Sequence, residues 1–267
     1  MTQTLINVPG DADGVTPGPE AALDESVVDA LDLDGIERVL AVTAHPDDVD
    51  FGSAGTIARL VKAGVAVSYC ICTDGDAGGF DPAVPREEIP AIRRAEQTAA
   101  AAALGVADVV FLGYPDGALE ANQDLRRDIS RQIRRVRPNR MIIMSPERNW
   151  ARLPASHPDH MAAGEAAIRA IYPDARNPFA HPGLMADGLE AWTVHSVWVQ
   201  GHPRPDRFID ITDTFADKVA ALRCHKSQTE HMTELESMLR SWLTAAAASG
   251  GLPEGRLAEA YFTVSIG

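Results

Sequence analysis

Short apolar runs, each followed by a helical pattern, recur along most of this chain. Residues 39–44 form the first run, and residues 53–63 then place Ile57, Leu60 and Val61 at helical spacing before stopping at Gly64. "VAVSYCIC" (65–72), "VVFLG" (109–113) and "RMIIMS" (140–145) are further apolar strands. They are separated by an Ala-rich helix over 91–105 and a helix around 124–136. A helix from about 158 to 171 follows, then strands near 194–199 and 208–211 and helices near 213–225 and 230–247. Strands apolar on both faces must be covered on both faces. The alternation therefore predicts an α/β fold, a mostly parallel sheet covered by helices on both faces.

The chain is 267 residues long, within the range of one α/β domain. Its first segment is different: "NVPGDADGVTPGPEAALDESVV" is rich in Gly, Pro and Asp and has little periodicity. We therefore expect a flexible arm over residues 1–30 and a single domain over 31–267, with no internal repeat. Lys and Arg number 24 against 38 Asp and Glu, for a net charge of −14, which argues against nucleic-acid and anionic-membrane partners. There is no apolar run of spanning length and no leader pattern, and three cysteines give no disulfide framework, so the expected compartment is the cytoplasm. Cys70 and Cys72 share one face of a strand and read as packed apolar groups.

Sheets of this kind bind ligands outside the carboxyl ends of their strands. The segments that follow the strands are "HPDDVD" (45–50), "TDGDAGG" (73–79), "GYPDG" (113–117) and "SPERNWARLPASHPDH" (145–160). Polar, glycine-rich and histidine-bearing loops thus gather on one edge. In the first, Asp47, Asp48 and Asp50 crowd three carboxylates into four positions, which repel unless a cation is present. In the second "HPD" segment, Pro158 suits the first helical position, making His157 the N-cap and placing His160 in the first turn. Two His and one carboxylate suit a catalytic zinc site with an open position for water, leaving a further carboxylate and His as base and acid. Fe(II) accepts the same donor set, so the spacing leaves the metal open between Zn²⁺ and Fe²⁺. Rival chemistries lack their motifs: there is no G-x-S-x-G, no G-x-G-x-x-G and no Walker loop after the first strand. His225 is expected only at a helix end, where an imidazolium suits the dipole.

"AHPDDVDFGSAGTIARLVKAG", "TDGDAGG", "RRAEQTAAAAALGV", "FLGYPDGAL" and "SHPDH" stand in the order seen in the PIG-L/LmbE-like family of zinc-dependent de-N-acetylases, which this sequence resembles from about Arg38 onward. The resemblance implies a Rossmann-like domain and hydrolysis of a small N-acetylated substrate, an amino sugar or pseudo-disaccharide, by zinc-activated water. It also leaves open an amidase for a larger acyl group such as a thiol S-conjugate, or a binding protein that has lost catalysis. It implies His45, Asp48 and His160 as metal ligands, Asp47 as general base, and His157 as oxyanion stabiliser or acid to the leaving amine. Asp159 is implied to orient His157, and Arg93 and Asp116 to contact substrate. Relatives are often homo-oligomers. Two positions depart from the family pattern: Val49 replaces a Glu, and Ala155 stands where some relatives have Tyr.

Overall fold

The computed structural model describes residues 31–266, and the arm expected over residues 1–30 lies outside them. Among the described residues, seven strands make one sheet: β1 (Arg38–Thr43), β2 (Ala66–Thr73), β3 (Asp108–Tyr114), β4 (Arg140–Met144), β5 (Ser196–Gln200), β6 (Arg207–Asp210) and β7 (Ala258–Ser265). Their order across the sheet is β3-β2-β1-β4-β5-β7-β6. The first five pair in parallel, and β7 runs antiparallel to both β5 and β6. The helices are α1 (Asp48–Lys62), α2 (Ile89–Ala103), α3 (Gln123–Val136), α4 (Pro158–Arg169), α5 (Pro182–Ala186), α6 (Phe215–Cys224), α7 (Lys226–Thr229) and α8 (Leu235–Ser249). The mostly parallel sheet is the one expected, and each of β1 to β6 falls within two residues of an apolar run.

Alternate side chains of each strand feed two cores, one on each face of the sheet. Val39 and Ala41 of β1 pack with Ile57, Leu60, Leu222 and Leu239 from α1, α6 and α8. Leu40 and Val42 pack on the other face with Ile129, Ile133, Ala163 and Ala167 from α3 and α4. Cys70 and Cys72 lie in this second core, as their spacing predicts, and burial pushes the Cys70 thiol up to about 12.

Helices α5 and α7 were not expected and α8 starts later than the pattern suggests, but two other differences bear on the site. Helix α1 begins at Asp48, five residues before the expected start at 53, because its first turn carries Asp48, Asp50 and Gly52 rather than an apolar stripe. Acidic residues suit a helix N-terminus. A Cβ at Gly55 would collide with Ile211, so glycine lets this helix approach the segment after β6. Strand β7 is absent from the expected strands because a charged residue, Glu259, interrupts its apolar pattern.

Glu259 is fully used inside. Its Oε1 accepts from Lys218 Nζ (2.6 Å) and the Gly55 amide (3.0 Å), and its Oε2 from the Thr56 amide (2.7 Å). Lys218 spends its other two N–H groups on the carbonyls of Asp50 (2.9 Å) and Phe51 (2.7 Å). Both side chains are 1% exposed, so this pair bolts α6 and β7 to the first turns of α1. Removing one partner strands the other charge in a dry interior. Lys218→Met is expected to cost about 3–5 kcal/mol of stability in urea unfolding, and a loss below about 1 kcal/mol would mean that water reaches Glu259.

Candidate metal centre and active site

The strand order reverses between β1 and β4, because β1 leads outward to β2 on one side and β4 to β5 on the other. A crevice opens at such a reversal. The two "HPD" segments follow these two strands, so the topology brings together residues more than 110 positions apart.

On the β1 side, the His45 amide donates to Asp48 Oδ2 (2.7 Å), which closes the turn into α1. Asp47 caps the helix with φ 93°, a left-handed conformation that costs a non-glycine residue of order 1–3 kcal/mol. On the β4 side, His157 is the N-cap of α4, and its Nδ1 accepts from the Asp159 amide (3.2 Å). The proton of a neutral His157 ring therefore sits on Nε2.

The Asp48 carboxylate lies between two imidazoles, with Oδ2 3.3 Å from His45 Nδ1 and Oδ1 3.0 Å from His160 Nε2. One nitrogen from each of His45, His157 and His160 comes within 4.8 Å of the others. The far nitrogen of His45 faces Asp116 Oδ1 (3.1 Å) and Asp159 Oδ2 (3.2 Å). Donors around a tetrahedral ion at ~2.1 Å sit roughly 3.4 Å apart. The separations at Asp48 are close to this, and the carboxylate behind His45 is the usual partner of a metal-bound imidazole. The residues fit a divalent cation held by His45, Asp48 and His160. His45, Asp116 and Asp159 also approach within 4.8 Å, but Asp159 already accepts the amides of Gly117 (2.7 Å) and Leu119 (3.3 Å).

These groups shift one another strongly. Burial pushes the His45 imidazole down, but Asp48, Asp116 and Asp159 together raise it to about 12. Burial also opposes charge on His160, and Asp48 again overcomes it. Burial pushes Asp48 up, but its two imidazole neighbours hold it well below the usual carboxylate range. His157 is pushed down, first by burial and then by His45 and His160. For Asp47, burial outweighs the Arg93 guanidinium and, with help from Asp48, sets the carboxyl at about 6.

Three residues of the expected site have partners within the protein that the sequence did not show. Arg93 is 4% exposed, and its guanidinium is turned into the protein. Its Nη2 donates to Asp47 Oδ2 (3.0 Å) and to the Pro46 carbonyl, and its Nη1 to the Gly75 carbonyl (3.2 Å). Asp116 lies on the His45 ring and accepts from the Ala77 amide (3.3 Å), which ties "YPDG" to "TDGDAGG". Asp159 touches His157 only through its amide, and its carboxylate turns into the interior toward His45. Position 2 after an N-cap points into the fold here, at 1% exposure.

Two contacts were not expected: Gln97 accepts the Asp47 amide on Oε1 (2.8 Å), and Asp50 meets His225 in the interior (2.7 Å). Gln97 lies one helical turn after Arg93, so the i, i+4 spacing in "RRAEQ" carried a signal for it. His225 carried none, being 175 positions from Asp50. At the end of β5, Gln200 accepts from Ser53 Oγ (2.6 Å) and donates to the Asp48 carbonyl (3.3 Å), steadying the first turn of α1 from the other side.

A crevice at the sheet's reversal point, with a His–Asp–His donor set and a further carboxylate and imidazole on its rim, defines a metal-centred enzyme on a Rossmann-like sheet. Residues 40–171 match the PIG-L family, GlcNAc-PI de-N-acetylase. The chain is 34% identical over 227 residues to the diacetylchitobiose deacetylase of Thermococcus kodakarensis, covering 84% of this chain and 82% of that one. It is 37% identical over 204 residues to the probable N-acetyl-alpha-D-glucosaminyl L-malate deacetylase 2 of Bacillus cereus, covering 74% and 86%. Its fold superposes on the N,N'-diacetylchitobiose deacetylase from Pyrococcus horikoshii with a TM-score of 0.80 at 28% identity, over 87% of this chain and 85% of that one. The chain belongs to the PIG-L family, whose deacetylases are metal-dependent enzymes. No helix among the described residues is long and apolar enough to cross a membrane.

Proposed function

We propose that this protein removes the N-acetyl group from a small N-acetylglucosamine derivative, with Zn²⁺ held by His45, Asp48 and His160. The observation that carries the reading is that a nitrogen of His157 comes within 4.8 Å of nitrogens of His45 and His160, with Asp47 next to Asp48 in the same turn. The relatives' activities on diacetylchitobiose and N-acetylglucosaminyl malate support the substrate class. The bound cation supplies a Lewis acid and lowers the pKa of water toward ~7.

The remaining steps fall to the chain's own groups. Asp47 has one oxygen on Arg93 and the other without a hydrogen bond among the described residues. That free oxygen takes the proton of the attacking water, and a carboxyl held near neutrality suits the task. His157, neutral with its proton on Nε2, donates to the acetyl oxygen as charge develops there. The C–N bond breaks, Asp47 returns the proton to the leaving amine, and acetate and a free amino sugar depart. Asp116 and Asp159 hold the His45 ring, while Arg93 holds the base. An open pocket of about 430 Å³, lined by Asp74, Asp76, Arg86, Glu87, Pro90, Gly113, Tyr114 and Pro115, combines apolar surface with a few charged groups and lies next to Asp116 in the chain.

Acetate and primary-amine release from N,N'-diacetylchitobiose and from N-acetylglucosaminyl conjugates, with and without chelator, tests the reading. Chelator-sensitive release of equimolar acetate and amine is expected. Absence of acetate from every N-acetylglucosaminide at saturating Zn²⁺ would overturn it, and release of a larger acid from an S-conjugate would redirect it to amidase chemistry.

A further inference from the structure

We propose that Gln97, fixed by the buried Asp50–His225 pair, is the positioning residue that holds Asp47 in its left-handed backbone conformation. The inference rests on the reading of Asp47 as the base. Asp47 is gripped at three points. Arg93 takes its carboxylate and the carbonyl before it, and Gln97 Oε1 accepts its amide at 2.8 Å. At φ 93° that amide is turned away from the course an ordinary helix start would give it, so it needs an acceptor placed for this conformation.

The acceptor is itself oriented. A glutamine amide can flip, and each flip exchanges donor for acceptor. Here Gln97 Nε2 donates to Asp50 Oδ2 (2.8 Å). In the flipped state the Gln97 oxygen would face the Asp50 carboxylate, and its NH₂ would face the Asp47 amide, acceptor against acceptor and donor against donor. Asp50 therefore sets the direction of Gln97. His225 sets Asp50: its Nε2 lies 2.7 Å from the same Oδ2, and both residues are fully buried. The remaining atoms, Asp50 Oδ1 and His225 Nδ1, are buried without hydrogen-bond partners among the described residues. Fold stability alone gives little reason to keep two incompletely satisfied polar groups in a core. Positioning the amide that holds a strained residue gives one. A further consequence is a coupling from the helix end at His225, through Asp50 and Gln97, to the peptide that orients Asp47.

The test is a double-mutant cycle on the metal-loaded full chain: Gln97→Met, Asp47→Ala and the pair, assayed for acetate release. Gln97→Met should lower kcat at least tenfold, with KM within twofold and metal content unchanged. In the Asp47→Ala background the same substitution should alter residual turnover less than twofold, because nothing is left to position. Losses that multiply, or a loss carried mainly by KM, would overturn the positioning role. So would a wild-type kcat in Gln97→Met beside an inactive Asp47→Ala. Wild-type turnover in Asp47→Ala would instead sink the base assignment, and positioning with it. If Gln97→Met fails to fold, His225→Leu and His225→Gln carry the test. The leucine should cost at least tenfold in kcat. The glutamine, whose amide can donate to Asp50, should recover at least threefold of that loss, and equal kcat in the two variants would refute the coupling.

Discussion

Asp47→Asn is expected to lower deacetylation turnover by about 10³-fold, within the range a positioned general base contributes, while bound metal stays at the wild-type level. Asparagine keeps the shape of the side chain and tolerates the left-handed backbone that Asp47 adopts at φ 93°. It still offers an oxygen to Arg93, so the contact at 3.0 Å survives. What disappears is the capacity to accept a proton. Kinetics by amine release, metal content and a thermal melt together isolate that loss. Turnover above a tenth of wild type would refute the assignment. The pH profile follows with a definite sign. Burial sets the Asp47 carboxyl at about 6, the base works when ionised, and a neighbouring cation lowers the value further. The acid limb of kcat/KM should therefore lie at or below pH 6, with the rate falling as pH falls through it. Removing Arg93, whose charge holds Asp47 down, should move that limb toward neutral pH.

His160→Ala should abolish tight metal binding and take turnover to background, a loss of at least about 10³-fold, consistent with the loss of metal-lowered water acidity. The substitution removes one of the two imidazoles that Asp48 spans at 3.0 and 3.3 Å, and two protein donors do not make a closed catalytic site. Dialysis against a chelator should reproduce the loss in the wild type, and Zn²⁺ should reverse it. Uptake should also release protons, because an imidazole must be neutral to bind a metal, and Asp48 raises the pKa of both His45 and His160. Apparent affinity should rise with pH, and calorimetry in buffers of different ionisation enthalpy should show proton release. Wild-type metal content in His160→Ala, or full activity after chelation, would exclude this donor set.

Much of the proposed centre could be read from the chain because its candidate donors are local to two turns. "HPDD" and "HPDH" each pack their donors within four positions, and Pro158 announces the helix that His157 caps. Strands β1, β2, β4 and β5 were legible because strands buried on both faces show as unbroken apolar runs, and the edge strands β3 and β6 carry short apolar runs of their own. Elements whose logic is long-range were not. Strand β7 hides behind Glu259, whose charge makes sense only once Lys218 lies against it. The internal partners of Arg93, a carboxylate and two carbonyls, were not legible, because they come from segments that only the fold brings together. His225 stands at a helix end as expected, but its reach to Asp50, and that of Asp159 across the crevice to His45, are long-range contacts that a sequence does not show.

The Lys218–Glu259 bolt also dictates an order of construction. Glu259 holds the amides of Gly55 and Thr56 from more than 200 positions away, on a strand inserted between β5 and β6. During synthesis, the segment bearing His45 and Asp48 emerges early, yet the first turns of its helix lack their deepest polar partner until residues 258–265 arrive. Contacts of such sequence separation form late, since closing a long loop costs entropy before it returns any energy. The half of the centre that carries His45 and Asp48 is therefore encoded near the start of the described residues and fixed only when their end arrives. A nascent or truncated chain would carry the acids and histidines but not the frame that aims them.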